Sequence, residues 1–284
     1  MPSLPEGLAI ALQRIAKEKE ARTGTLDLGR LGLIISDLPG ELAQMLAKLE
    51  HLRVLNWGGW WWDEEGEWHD AQSVLGPNTM GNTLEKLAPL PKLLSLSLQD
   101  CADLESLRGL ERWQSLQSLD CTYTQVRDLS PLAKLHSLQT LTCISTPVSD
   151  LSPLAKLQSL QTLDCSFTQV SDLSPLAHQQ SLQRLDCYRT QVSDLSPLAN
   201  LLSLWTLDCS YTQISNLSPL AKLLSLRILR CYDTQVSDLS PLASLLSLRT
   251  LECRNTQVSN LSPLVKLQNI WMLEAVLNLR TRKA

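Results

Sequence analysis

The sequence predicts an α/β solenoid with a parallel β-sheet on its concave face, short 3₁₀ turns on the convex side and a capping helix at the N-terminus. Three observations lead there. Leu116, Leu138, Leu160, Leu182, Leu204, Leu226 and Leu248 stand 22 residues apart. The same step carries Cys121, Cys143, Cys165, Cys187, Cys209, Cys231 and Cys253, and a proline column from Pro131 to Pro263. Within each unit the apolar spacing changes from two to three. A strict period of this length marks stacked repeats rather than a single globular core.

The unit Leu138–Ser159, LQTLTCISTPVSDLSPLAKLQS, justifies each element in turn. Leu141 and Cys143 are two apart, so a strand places both on one face. Leu151, Leu154 and Leu157 are three apart, which suits a 3₁₀ turn whose i and i+3 side chains eclipse. Gln179 alone interrupts that last column. Ser152-Pro153 opens the turn, with the serine placed to cap and the proline preset for the first helical position. A unit so short cannot bury its own apolar edge, but stacked copies about 4.8 Å apart can.

This repeat resembles the leucine-rich repeat in its bacterial, 22-residue internalin-type form, from about Thr25 to the C-terminus. The resemblance implies a binding scaffold. It also implies that Thr124, Thr146, Thr168, Thr190, Thr212, Thr234 and Thr256 take the place of an asparagine that bonds neighbouring turns. A threonine hydroxyl serves similarly with shorter reach.

The reading divides the chain into a capping segment, 1–24, and a repeat domain, 25–284, with irregular repeats over 25–115, regular ones over 116–269 and a partial one over 270–284. Leu8 to Ala21 forms an amphipathic helix, with Leu8, Leu12, Ile15 and Ala16 on its inner side. An irregular first repeat runs from Thr25 to Leu38-Pro39, a second starts at Leu49, and a third, Leu93 to Ser115, is one residue longer than the rest. The opening ARTGTLDLGRLGL resembles the start of bacterial Roco-type multidomain proteins, in which a GTPase follows the repeats. No GxxxxGK[ST] loop is present in this sequence, so nucleotide hydrolysis does not carry over. After Ile270, Leu273, Ala275 and Asn278 comes a basic tail, with no polar capping unit. The tail folds back, two chains meet there as a homodimer, or a further domain follows; the three readings stay open.

Composition excludes several classes. Lys+Arg 25 against Asp+Glu 29 gives a formal net charge of −4, against a nucleic-acid partner. No apolar stretch approaches the roughly 18 residues of a membrane span, and Leu8 to Leu12 is too short for a secretory signal. The expected location is the cytoplasm, with no membrane contact. The repeated cysteines read as small apolar fillers, since disulfides need a shorter Cβ separation and metals need converging ligands. No cofactor is expected.

Residues alternating with the core point outward and compose the candidate site: Asp120, Asp164, Asp186, Asp208 and Arg230 in one column, Tyr188, Tyr232 and Arg254 in the next, Tyr123, Phe167, Arg189 and Tyr211 in a third. Adjacent carboxylates repel, and tyrosine and arginine dominate interface hot spots. Arg227, Arg230, Arg249 and Arg254 gather further along, so the face is expected to run from acidic to basic and to orient a protein partner. Between the second and third repeats, about 58–82, a tryptophan-rich insertion either packs down or forms an aromatic hook; its Glu67, His69 and Asp70 are too close together to argue for zinc. His136 and His178 read as surface substitutions, and no nucleophile has a base at readable spacing. The expectation is a non-catalytic protein-interaction scaffold, or alternatively the sensor segment of a larger signalling enzyme.

Overall fold

The computed structural model describes residues 5–34, 40–62, 68–73, 75–79, 81–82, 84–85, 87, 90–267 and 272–274. The chain forms two compact units, residues 1–148 and 149–284. Each is a run of stacked coils, one short parallel strand per coil, so the expected solenoid is what forms.

In the first unit, helix α1 (Glu6–Ala21) precedes strand β1 (Thr25–Asp27), helix α2 (Gly40–Ala47) and strand β2 (Val54–Asn56). Strands β3 (Trp60–Trp62) and β4 (Trp68–Asp70) follow, then β5 (Ser95–Ser97), β6 (Ser118–Asp120) and β7 (Thr140–Thr142). β1 pairs in parallel with β2, β2 with β5, β5 with β6 and β6 with β7, so that Leu26, Leu55, Leu96, Leu119 and Leu141 fall in register.

The capping helix uses a different face from the expected one. Gly7, Ala11, Ile15 and Glu18 are buried, whereas Leu8 and Leu12 are half-covered and Ala16 is exposed. Close backbone approach outweighs side-chain bulk here: a Cβ on Gly7 would overlap the Leu31 carbonyl oxygen. The helix ends at Arg22, whose left-handed φ of 52° lets its N–H reach the Glu18 carbonyl at 2.8 Å. The buried Glu18 carboxylate accepts from the Thr23 hydroxyl, from Gly24 N–H at 2.8 Å and pairs with His51 Nε2 at 2.7 Å. Burial raises its pKa, but these hydrogen bonds together hold it below the ordinary glutamate value.

The insertion contains a hairpin, with β3 antiparallel to β4. Its lead-in is held by saturated polar groups. Asn78 Nδ2 donates to the Leu28 and Trp57 carbonyls at 2.7 and 2.8 Å, and its Oδ1 accepts from Leu31 and Leu33 N–H at 3.2 and 2.9 Å. Gly58 lets the chain pass: a Cβ there would lie 2.5 Å from the Gln99 backbone. Residues 63–67, Glu67 among them, lie outside the described residues, as do Leu38-Pro39, Ile270, Ala275, Asn278 and the basic tail on which the homodimer expectation rests.

In the second unit the strands are β8 (Thr162–Asp164), β9 (Arg184–Asp186), β10 (Thr206–Asp208), β11 (Ile228–Arg230), β12 (Thr250–Glu252) and β13 (Met272–Glu274), each parallel to the next. Leu163, Leu185, Leu207, Leu229 and Leu251 stack with no exposed surface. Gln179 stands buried in the leucine column, and its amide donates to the Leu154 carbonyl at 2.8 Å.

Two sequence expectations change. The serine opening each 3₁₀ turn does not cap it. Asp150, Asp172, Asp194, Asn216, Asp238 and Asn260, two residues earlier, accept the serine N–H at 2.7–2.9 Å. A side-chain oxygen two residues earlier reaches the serine N–H whether it is a carboxylate or an amide, and beside the carboxylates of Asp172 and Asp194 the hydroxyls of Ser174 and Ser196 turn to donate to it. The threonines, for their part, bond within their own coil. Thr168, Thr190, Thr212 and Thr234 donate to the carbonyl of the cysteine three residues before, at 2.5–2.7 Å. Their short side chain makes this the reachable acceptor.

Candidate interaction face

The sequence of each coil dictates what stands on the outward side of the second unit. The strand ends on Asp164, Asp186, Asp208, Arg230 or Glu252, the cysteine turns inward, and the following residue is buried where it is Ser166 or Ser210 and half-buried where it is Tyr188, Tyr232 or Arg254. The next residue then takes a left-handed conformation. Phe167, Arg189, Tyr211, Asp233 and Asn255 have φ of 57°, 56°, 54°, 54° and 52°. This left-handed column has no simple signal in the sequence, because only Asp233 and Asn255 are residue types that adopt it readily. It swings the Phe167, Arg189 and Tyr211 side chains out beside Tyr188 and Tyr232.

The result is a contiguous aromatic layer. Ring centroids lie 5.1 Å apart for Phe167 and Tyr188, 5.2 Å for Tyr188 and Tyr211, 5.6 Å for Tyr211 and Tyr232. The Arg189 guanidinium lies 5.5 Å from the Phe167 centroid and 5.7 Å from that of Tyr211, and the Arg254 guanidinium lies 4.4 Å from that of Tyr232. Phe167 is 46% and Tyr211 43% exposed.

The aspartate column sits beneath this layer and is not open surface. Asp186 is buried and half-buried Asp164 and Asp208 flank it. Asp164 and Asp208 accept the N–H of Ser166 and Ser210 at 3.0 Å, so they close the turn after the strand. Asp186 pairs with Arg184 at 2.5 Å. Burial pushes all three carboxyls above the usual aspartate range, against the lowering pull of the serine bonds and Arg184. Burial and the nearby Asp208 push the Tyr232 hydroxyl up to about 12. Among the arginines expected to form a basic end, Arg230 is engaged with Glu252 at 2.8 Å, and Arg227 and Arg249 stand one residue before strands β11 and β12.

In the first unit the corresponding Asp120 is buried and accepts Thr122 N–H at 2.9 Å. Tyr123 is exposed, left-handed at φ 57°, and meets Trp60 edge-on at 6.4 Å. Trp60 was not among the sequence candidates; its place depends on the hairpin, which no repeat period announces. Trp57, which ends the second repeat just before the insertion, is fully packed inside.

The thiols are buried, not disulfides. Cys187 and Cys209 direct Sγ to the Asp208 and Arg230 carbonyls at 3.3 and 3.4 Å. Burial raises both far above the ordinary thiol value, which removes the thiolate that nucleophilic chemistry needs. Among the described residues no group of His, Cys, Asp and Glu converges to hold a metal ion. What the outward layer offers is apolar and cationic contact area on a stiff frame.

Residues 114–156, 136–178, 158–200, 203–244 and 224–266 match the family model described as Leucine Rich repeats (2 copies). Among solved structures, an internalin of Listeria monocytogenes is similar over 82% of this chain and 69% of its own, at 27% identity and a TM-score of 0.67. Internalin C2 of the same organism is 35% identical over 65% of this chain and 81% of its own, with a TM-score of 0.64. A leucine-rich repeat protein of Leptospira interrogans shares the fold over 96% of this chain and 82% of its own, at 18% identity and a TM-score of 0.61. No curated protein matches the chain.

Proposed function

Since the chain belongs to the leucine-rich repeat family, we propose that it is a non-catalytic protein-interaction scaffold that binds a protein partner through the outward strand face of residues 149–284. One observation carries this reading. Phe167, Arg189 and Tyr211 hold a left-handed backbone that costs a side-chain-bearing residue about 1–2 kcal/mol. Asparagine at Asn255 fills the same place with less strain. Aromatic and cation–π contacts of about 0.5–1.5 kcal/mol each offset that cost, yet Phe167 and Tyr211 stay 46% and 43% exposed. Side chains retained at such a cost and left facing water are the pattern of a binding surface.

The test replaces Tyr188, Tyr211 and Tyr232 together by alanine. Proteins cross-linked to the wild-type chain in extracts of its native host are expected to be lost from the variant, with melting nearly unchanged. Recovery of the same proteins by both, or collapse of the variant's fold, refutes the reading.

A cytoplasmic location belongs to the same proposal, supported by eight buried thiols. No described helix is long and apolar enough to cross a membrane. A second reading, a regulatory segment of a larger Roco-type protein, draws its support from the opening Ala21 to Leu33 alone. The gene sequence on either side of this reading frame decides it.

A further inference from the structure

A second surface lies apart from the aromatic layer, where each coil turns into its strand. Leu201 and Leu204 point inward with no exposed area, and the turn between them closes through Leu204 N–H to the Leu201 carbonyl at 2.9 Å. The period of three leaves Leu202 at the tip, facing water. Leu224 and Leu246 repeat this geometry, and the three are 57%, 60% and 61% exposed. Earlier coils of the same unit carry Gln158 and Gln180 at this place, also exposed. The frame therefore accepts a polar residue there, and burial within the coil does not explain leucine.

Three features beside the ridge describe its occupant. First, a cleft of about 400 Å³ adjoins it, lined by Gln183, Ser203, Trp205, Ser225 and Arg227. Second, the neighbouring charges have one sign: Lys222, Arg227 and Arg249 are exposed. Neither Asp nor Glu occurs from Ala199 to Trp205, Ala221 to Arg227 or Ala243 to Arg249. Third, the pitch is that of a helix. Parallel coils repeat about every 5 Å, so the ridge spans about 10 Å. Residues i, i+3 and i+7 of an α-helix span about 10.5 Å.

We propose that the ridge of Leu202, Leu224 and Leu246 docks an acidic amphipathic helix of a partner protein. Its apolar stripe lies along the leucines, one large side chain enters the cleft beside Trp205, and its carboxylates face Lys222, Arg227 and Arg249. A one-residue-wide ridge beside a cleft fits a single row of side chains, whereas a lipid surface favours a broad apolar face.

The experiment uses the full chain and a fluorescent synthetic helix with leucine at i, i+3 and i+7 and glutamate on its flanks, read by anisotropy. A second peptide carries lysine in place of glutamate. The variant is Leu202→Gln, Leu224→Gln and Leu246→Gln together, which installs the residue earlier coils already tolerate; circular dichroism checks its fold. Expected are binding of the acidic peptide, a loss of at least about tenfold in the variant, and a similar loss for Arg227→Glu with Arg249→Glu. Equal binding of the acidic peptide by wild type and leucine variant, or none by wild type, overturns the proposal. So does a preference for the lysine peptide. Binding to phosphatidylserine-containing vesicles that the leucine variant loses assigns the ridge to a membrane instead. Sedimentation showing a wild-type dimer that the variant dissociates assigns it to a second copy.

Discussion

The aspartates of the second unit, some at strand ends and some before the 3₁₀ turns, show how one residue type takes opposite electrostatic roles within a coil. Asp150, Asp172 and Asp194 lie at the surface, and the Ser152, Ser174 and Ser196 bonds hold their carboxyls below the usual value. Asp164 and Asp208 lie under the aromatic layer, and burial holds theirs above it. For a raised carboxyl the folded state keeps its proton to higher pH than the unfolded chain. It therefore favours folding at low pH, and that advantage is lost as pH rises through the unfolded and then the folded pKa. Asp164→Asn keeps an acceptor for Ser166 N–H and removes the buried charge. The variant is expected to melt above wild type near about pH 7, with the gain vanishing below about pH 3, where wild type is itself neutral. Thermal melts across that range check it; a variant that melts lower at neutral pH contradicts the assignment of burial as the dominant cause.

Helix α1 shows the same competition between bulk and approach in a whole element. Amphipathic spacing points to Leu8 and Leu12, yet the helix seats through Gly7, Ala11 and Ile15. In an exposed helix, glycine to alanine stabilises by roughly 0.5–1 kcal/mol. Gly7→Ala is expected to do the reverse, costing about 1–3 kcal/mol, because the new methyl meets the Leu31 carbonyl and the helix must lift. Urea unfolding measures the sign directly. The 3₁₀ turns follow a simpler logic: those from Ser130–Leu132 to Ser262–Leu264 open on Ser-Pro, unlike the irregular one at Leu110–Arg112, and the acceptor two residues earlier sets their start. That acceptor alternates between aspartate and asparagine without changing the geometry, at 2.8 Å for Asp194 and 2.9 Å for Asn216. One carbonyl oxygen is all the turn requires.

In the chain as a whole, stability is a sum of coil-to-coil contacts, so opening is local and each buried thiol reports on its own coil. Cys253 is 2% exposed, and burial raises it only to about 11, less than its neighbours Cys209 and Cys231. Iodoacetamide labelling of the native protein is expected to reach Cys253 first, with Cys187 and Cys209 following only as their coils open. Mass spectrometry of timed samples gives the order, and labelling of Cys187 as early as Cys253 contradicts it.

What was legible in advance and what was not follows one physical division. Leu185, Cys187 and Leu198 repeat at 22 residues, and a period alone obliges stacking, because no coil can bury its apolar edge without a neighbour. The strands, the 3₁₀ turns, the inward cysteines and the tyrosines as outward residues all follow from that count. The left-handed backbone at Phe167 and Tyr211 did not, nor did the descent of Asp186 beneath the rings or the docking of Trp60 against Tyr123. Periodicity states which side of a strand a residue takes. It does not state how deeply neighbouring coils cover it, nor where a non-repeating hairpin comes to rest, since both depend on side chains that meet only once the coils have stacked.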